Sequence, residues 1–330
     1  MKVLITDYAW ENLDIEAGLL AEAGAEILAA ETGDLPELIE LAADADAILV
    51  NWRPCPAEVL EAAPNCKIVA RCGVGLDNID VTRATELGIV VTNVPDFCID
   101  EVAEHSLALI FALRRKIVQF AQQTRRGEWD NMSFGPLHRI RGQTIGLVGS
   151  GLLAQGLADR ARGLGMEVTA FSRSATPGET KHGMTFAKSL DDLLERSDII
   201  SLHVPLTDVT HHMMGAEQFG RMKSTAILIN SARGPVVDPV ALYDAVSSGQ
   251  IAGAGIDVTE PEPIDASDPL LQLDNVIVTP HVAFYSVEAT IDLQTRAAGS
   301  VRDVLTGVVP DNIRNPEVLS SSALRATALR

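Results

Sequence analysis

Thr144–Phe171 reads TIGLVGSGLLAQGLADRARGLGMEVTAF. An apolar run, TIGLV, meets a pair of glycines; a helical apolar pattern follows, and a second β-rich run, EVTAF, closes the stretch. The order is strand, tight turn, helix, strand. Gly149-Ser150-Gly151-Leu152-Leu153-Ala154 fits the spacing G-x-G-x-x-G/A. Gly149 permits the sharp turn, and Gly151 keeps the backbone open to close approach. Ala154 is small enough for helix and strand to pack tightly, helped by Gly156. The N–H groups that open a helix have no partner inside it and attract an anion. Glycine turns can serve packing alone. With the right strand before it and the right helix and strand after it, this one reads as the pyrophosphate site of a dinucleotide, with contacts from Gly149, Ser150, Gly151, Leu152 and Leu153. The two leucines are apolar where a polar or basic side chain often faces the pyrophosphate.

The end of the second strand bears on which dinucleotide binds. An NAD site usually carries an acid about 20 residues past the turn, for the ribose hydroxyls. Here the chain has Phe171-Ser172-Arg173-Ser174. Arg173 can pair bidentately with a 2′-phosphate, and Ser172 and Ser174 can donate hydrogen bonds to it. NADP is therefore favoured over NAD, the alternative being that Arg173 is a solvated turn residue.

Working outward, strands and helices alternate on both sides. KVLIT, AEILAA, AILV, KIVA and IVVT read as strands, with helices expected over 11–23, 35–43, 57–63 and 81–87. Residues 100–126 read as one long helix. A second series follows Gly142: TIGLV, EVTAF, IISLH, AILIN, AGAGID and NVIVTP. A final helix is expected over 286–305, and residues 320–330 read as a frayed tail. Such alternation implies βαβ units and parallel sheets, an α/β chain with two doubly wound domains. The division is 1–99 plus 286–330 for one and 100–285 for the dinucleotide-binding one.

Composition narrows the class. The 330 residues suffice for two cores, and 47% are hydrophobic, a globular content. A formal net charge of −19 argues against nucleic acid or an anionic membrane as partner. The start, MKVLITDYAW, lacks the apolar core of a signal peptide, and LALIFAL (Leu107 to Leu113) is too short to span a bilayer. Cys55, Cys66, Cys72 and Cys98 form no CxxC pair and read as reduced, buried thiols of a cytoplasmic protein. No set of residues has metal-ligand spacing, so no metal is expected.

Three strand ends of the second series carry polar side chains. AILIN runs into Ser231-Ala232-Arg233-Gly234; GAGID ends at Asp257, with Glu262 five residues on; and Pro280 stops the strand Val276 to Val278 just before His281. An arginine after a strand usually faces solvent, a glutamate between prolines usually marks a rigid loop, and a lone histidine usually packs in one. Placed on strands of one nucleotide-binding sheet, the three surround one mouth, where open α/β sheets bind ligands.

RCGVGLDNID (Arg71 to Asp80), GIVVTNVPDF, the glycine turn, SLHVPLT (Ser201 to Thr207), NSARGPVVD, GAGIDVTEPEP and TPHVAFYS together resemble the D-isomer-specific 2-hydroxyacid dehydrogenases, across nearly all of residues 45–310. HHMMGAEQFGRM and TGVVPDNIRNP are most similar to the C-terminal-binding-protein branch, which includes bacterial dehydrogenases and animal corepressors. The resemblance implies a flavodoxin-like substrate domain, a Rossmann cofactor domain and an active-site cleft between them. It implies catalytic roles for Arg233, Glu262 and His281, further cofactor contacts from His203, Pro205, Ser231, Ala232 and Asp257, and a homodimer joined through the cofactor domain. The residue types suit reduction of a small 2-oxo acid. An imidazolium at His281 supplies the proton, a carboxylate at Glu262 favours that charged ring, and Arg233 grips the substrate carboxylate and carbonyl. N–H groups of Val74 and Gly75 are expected to bind the same carboxylate. Arg53 is a candidate for the substrate's distal group, as open to being a plain surface arginine. Two other readings stay open: a dinucleotide-sensing, corepressor-like binding protein, and a phosphite- or phosphonate-type oxidoreductase on the same scaffold.

Overall fold

A computed structural model describes residues 1–329. The chain divides into two compact units, residues 1–97 with 286–330, and residues 98–285.

The first unit is built on β1 (Lys2–Ile5), β2 (Glu26–Ala29), β3 (Ala47–Val50), β4 (Ile68–Arg71) and β5 (Val90–Thr92), all parallel in the order β2-β1-β3-β4-β5. That order is the flavodoxin-like one. Its crossovers are α1 (Asp14–Glu22), α2 (Leu35–Ala42), α3 (Ala57–Ala62) and α4 (Val81–Glu86). Asp34 and Asp80 accept N–H bonds at the starts of α2 and α4, so both helices begin where an acid can satisfy their first turn. Successive strand residues face opposite sides, so Leu4, Ile48, Val50 and Val69 fill one core with Leu38, Val59 and Leu60. On the unit's other helix layer, α1 packs against the helix Val287–Thr306, which also lies on β3 and β4.

The tail expected to fray is packed. Arg325 donates from its main chain to Gly88 and from Nη1 to the Ala63 carbonyl at 2.6 Å. Leu324 and Ala326 are buried, and the Asn315 carboxamide bonds the Val91 N–H and Ile89 carbonyl of the β5 edge. SSSALRATALR has too little periodicity to announce this, because single side chains rather than an apolar face hold it.

The second unit opens with α5 (Ile99–Arg114) and α6 (Ile117–Arg125). The single helix expected over 100–126 is broken at Lys116, which takes a left-handed φ of 52°. No glycine or proline marks the break. The new direction buries Gln119, whose side chain donates to the Asp274 carbonyl. The sheet follows: β6 (Thr144–Val148), α7 (Leu152–Gly163), β7 (Glu167–Phe171), β8 (Thr180–Lys181), β9 (Met184–Phe186), α8 (Leu190–Arg196), β10 (Ile199–Leu202), α9 (Ala216–Arg221), β11 (Ile227–Asn230), α10 (Pro239–Ser247), β12 (Gly253–Ile256) and β13 (Val276–Val278). Strand order is β13-β12-β11-β10-β6-β7-β9-β8, parallel except for the β8–β9 hairpin. That hairpin turns through His182 and Gly183, both at positive φ, as a two-residue loop prefers. Alternating strand residues feed two cores: Ile145, Leu147, Ile199 and Ile229 pack with α5 and α7, while Val148, Ile200, Leu202 and Leu228 pack with α8, α9 and α10. Chain order reverses between β6 and β10, so the sheet has its switch point beside the glycine turn.

Candidate active site

Parallel strands bring their carboxyl ends to one edge of the second unit's sheet. Along it stand the glycine turn after β6, Ser172–Ser174 after β7, His203 and Pro205 after β10, Ser231–Arg233 after β11, Asp257 after β12 and His281 three residues past β13. Gly149 has φ 110°, and a Cβ there would lie 2.4 Å from the His203 carbonyl, so the turn and the end of β10 require glycine. A Cβ on Gly151 would enter open space, with nothing within 4 Å. Gly151 caps α7 without a side-chain bond, leaving the first helical N–H groups to a ligand. Open room above unsatisfied donors at the start of a 12-residue helix fits a dinucleotide pyrophosphate. Leu152 is 45% exposed beside it. At the end of β7 the Ser172 and Ser174 hydroxyls lie 3.2 Å apart, with Arg173 exposed between them. Burial pushes the His203 pKa down to about 4, so its ring is neutral at neutral pH, 2.9 Å from the Ser201 hydroxyl.

The histidine beyond β13 is held by a buried acid. Asp257, 1% exposed, accepts from the Thr279 hydroxyl at 2.5 Å and from the N–H groups of Val282 at 3.0 Å and Ala283 at 2.9 Å, while its carbonyl takes the His281 N–H at 2.7 Å. These bonds hold His281 at φ 51°, a left-handed conformation costing an L residue about 1–2 kcal/mol. The ring then meets Glu262, Nδ1 donating to Oε1 at 2.6 Å. The Asp257 carboxylate is engaged in this turn.

Other supports have no sequence signature. The Thr279 hydroxyl donates to Asp257, so at 3.0 Å it accepts from His105 Nε2 on α5, 174 residues away. The buried Asn230 carboxamide shapes the arginine loop: Nδ2 donates to the Arg233 carbonyl at 2.9 Å and Oδ1 accepts from the Ala232 N–H at 3.0 Å. Arg233 Nη1 donates to the Ala232 carbonyl at 2.7 Å. Gly234 lets this loop press on the Thr259 backbone, where a Cβ would lie 1.9 Å from the carbonyl oxygen. The fold also brings His211 and His212 to Glu260, a cluster that only the HH dipeptide hinted at.

In the first unit, Arg53 is exposed just past β3, its N–H on Asp7 Oδ1 at 3.1 Å. Val74 and Gly75 follow β4, where the Val74 carbonyl accepts from Asn93 at 2.6 Å. All four cysteines are buried, and among the described residues none is joined in a disulfide. No helix among the described residues is long and apolar enough to cross a membrane.

Comparison with known proteins agrees with this geometry. Residues 107–283 match the model of the D-isomer specific 2-hydroxyacid dehydrogenase NAD binding domain. The chain is 43% identical over 288 residues to a glyoxylate reductase of Korarchaeum cryptofilum, 86% of each protein. Among solved structures it resembles D-lactate dehydrogenase from Aquifex aeolicus complexed with NAD and lactic acid, with TM-score 0.84, 28% identity and coverage of 97% of this chain and 98% of that one. It also resembles an acyclic imino acid reductase in complex with NADPH and D-Arg, with TM-score 0.87, 29% identity and coverage of 95% and 99%. A sheet edge built for a dinucleotide and these likenesses have one reading: the chain belongs to the D-isomer-specific 2-hydroxyacid dehydrogenases and is an NAD(P)-dependent oxidoreductase.

Proposed function

We propose that the protein reduces a small 2-oxo acid to the D-2-hydroxy acid, or runs the reverse reaction, with NADP as the preferred cofactor. The observation that carries this reading is the 2.6 Å contact between His281 and Glu262 on the same sheet edge as the glycine turn. A dinucleotide held at the glycine turn would, when bound, supply the hydride that the substrate's carbonyl carbon takes up. Arg233 binds the substrate carboxylate and carbonyl oxygen and offsets the charge that grows on that oxygen. His281, protonated, gives its Nε2 proton to the nascent alkoxide; in the reverse direction the neutral ring takes that proton back. Glu262, on Nδ1, sets the ring's orientation and stabilises its charged form. Residues 1–99 with 286–330 are assigned as the substrate domain, with Arg53, Val74 and Gly75 as substrate contacts.

NADP rests on the absence of an acid after β7 and the presence of Arg173 between two hydroxyls; the related imino acid reductase was solved with NADPH. A homodimer is supported by Trp129, 91% exposed, and Met132, 71% exposed, apolar surface of the cofactor unit that a second copy would cover. A cytoplasmic location is consistent with four buried cysteines that form no disulfide among the described residues.

Initial rates with NADPH and NADH against glyoxylate, hydroxypyruvate, 3-phosphohydroxypyruvate and phosphite test the assignment. Turnover of a 2-oxo acid, faster with NADPH, is expected. Arg173→Ala should raise KM for NADPH roughly 10-fold, the loss of one charge-assisted contact, with little change for NADH. Tight dinucleotide binding without turnover of any 2-oxo acid would favour the corepressor-like reading instead.

A further inference from the structure

Outside this site the second unit holds one other group of ligating side chains among the described residues: His211, His212 and Glu260, whose donor atoms all lie within 4.8 Å of one another. We propose that these three side chains bind a divalent transition metal ion of the zinc type.

The donor set comes first. Two imidazoles and one carboxylate suit Zn²⁺, Co²⁺ or Ni²⁺; Mg²⁺ and Ca²⁺ demand oxygen ligands. Three protein ligands with a fourth place for water make an open tetrahedral site. The spacing is close to what a metal needs. Glu260 Oε2 lies 2.7 Å from His212 Nε2, and Oε1 lies 3.9 Å from His211 Nε2. Ligands held about 2.0–2.1 Å from one tetrahedral ion sit roughly 3.4 Å apart. The 2.7 Å gap has to open by about 0.7 Å and the 3.9 Å gap to close by about 0.5 Å, which side-chain rotations provide at partly exposed residues.

The backbone is held before any ion arrives. The two rings stack with centroids 4.0 Å apart and planes 24° from parallel, so one ring has to turn about its Cβ–Cγ bond to aim its nitrogen at an ion held by the other. Their backbones are fixed by N–H bonds, His211 to the Thr207 carbonyl at 2.9 Å and His212 to the Pro235 carbonyl at 2.7 Å, with His212 at φ 50°. Glu260 precedes Pro261, which restricts the segment that carries it. The side chains are 51%, 35% and 33% exposed, so an ion reaches them from solvent. A chain of net charge −19 also concentrates cations around itself. On binding, the ion replaces the hydrogen bond between His212 Nε2 and Glu260 Oε2, and the neutral ring carries its N–H on Nδ1.

The purified protein, stripped with a chelator, is titrated calorimetrically with Zn²⁺ and by visible absorption with Co²⁺. One equivalent should bind, with the absorption of tetrahedral Co²⁺, and a large excess of Mg²⁺ should not displace it. His211→Asn is the discriminating variant, because it removes a ligand while leaving the His212–Glu260 hydrogen bond in place. It should weaken Zn²⁺ at least ~10-fold with an unchanged melting temperature in the absence of metal. Glu260→Gln should weaken it as well. Zn²⁺ binding equal in wild type and His211→Asn, or no saturable binding in wild type, overturns the site and leaves a structural His212–Glu260 pair only.

Discussion

Two histidine–glutamate pairs stand on one short segment of the second unit. Glu260 takes His212 at 2.7 Å, and Glu262, two residues on, takes His281 at 2.6 Å. Both histidines adopt a left-handed φ, 50° and 51°. As isolated contacts they are nearly the same object, and what separates them is their surroundings. His281 hangs on a buried Asp257 at the carboxyl edge of the sheet, in line with the glycine turn and the arginine loop. His212 follows β10 at a distance, with a second imidazole stacked on it. A pair of this kind can pass a proton or hold a metal, and its neighbours decide which.

The comparison can be broken most sharply at His281. His281→Ala should lower kcat/KM for 2-oxo acid reduction about 10³-fold at neutral pH, the usual weight of a general acid, while NADPH still binds by fluorescence titration. Normal turnover would strip the first pair of its distinction. A third histidine sharpens the contrast, since His203 has no carboxylate and burial alone sets its charge. Its folded pKa of about 4 lies below the free value of 6.5, so the unfolded chain takes up the proton first. The stabilisation is complete above pH 6.5 and drains away as pH falls from there to about 4. Denaturant titrations across that window should lose on the order of 2–3 kcal/mol, and His203→Asn should flatten that part of the slope. The smallest effects come from matched substitutions of the two acids. Glu262→Gln should reduce kcat/KM about 10- to 100-fold and reshape its pH profile, the cost of one charged hydrogen bond to a reacting ring. Glu260→Gln should show instead in denaturation, with a loss of up to ~1 kcal/mol for a partly exposed pair. Equal kinetic losses in both variants would erase the distinction.

Much of the cofactor edge was legible because its signals are local. A turn glycine, a small residue one helical turn on, and polar residues just past apolar runs all lie within a few positions of each other. Pro280 marked the end of β13 for the same reason: a residue without an N–H stops a ladder wherever it stands. What stayed hidden is what distant chain segments impose. Lys116 breaks a helix with no breaker residue in sight. His105 reaches Thr279 across 174 positions, and His212 reaches Glu260 across 48. Leu324 and Arg325 lie in a stretch whose pattern predicts no packing, and their docking follows from a site prepared by Ala63 and Gly88.

The first unit is written in two pieces, and that has a consequence for how the protein is made. Its five strands leave the ribosome within the first 92 residues, but the helix Val287–Thr306 that lies on β3 and β4 comes only after the whole second unit. Units generally fold as they are synthesised, the earliest first. Here the earliest cannot finish. The nascent sheet waits with one side covered only in part, by α1, while 188 residues of its neighbour emerge, and the unit begun first is the last to be sealed.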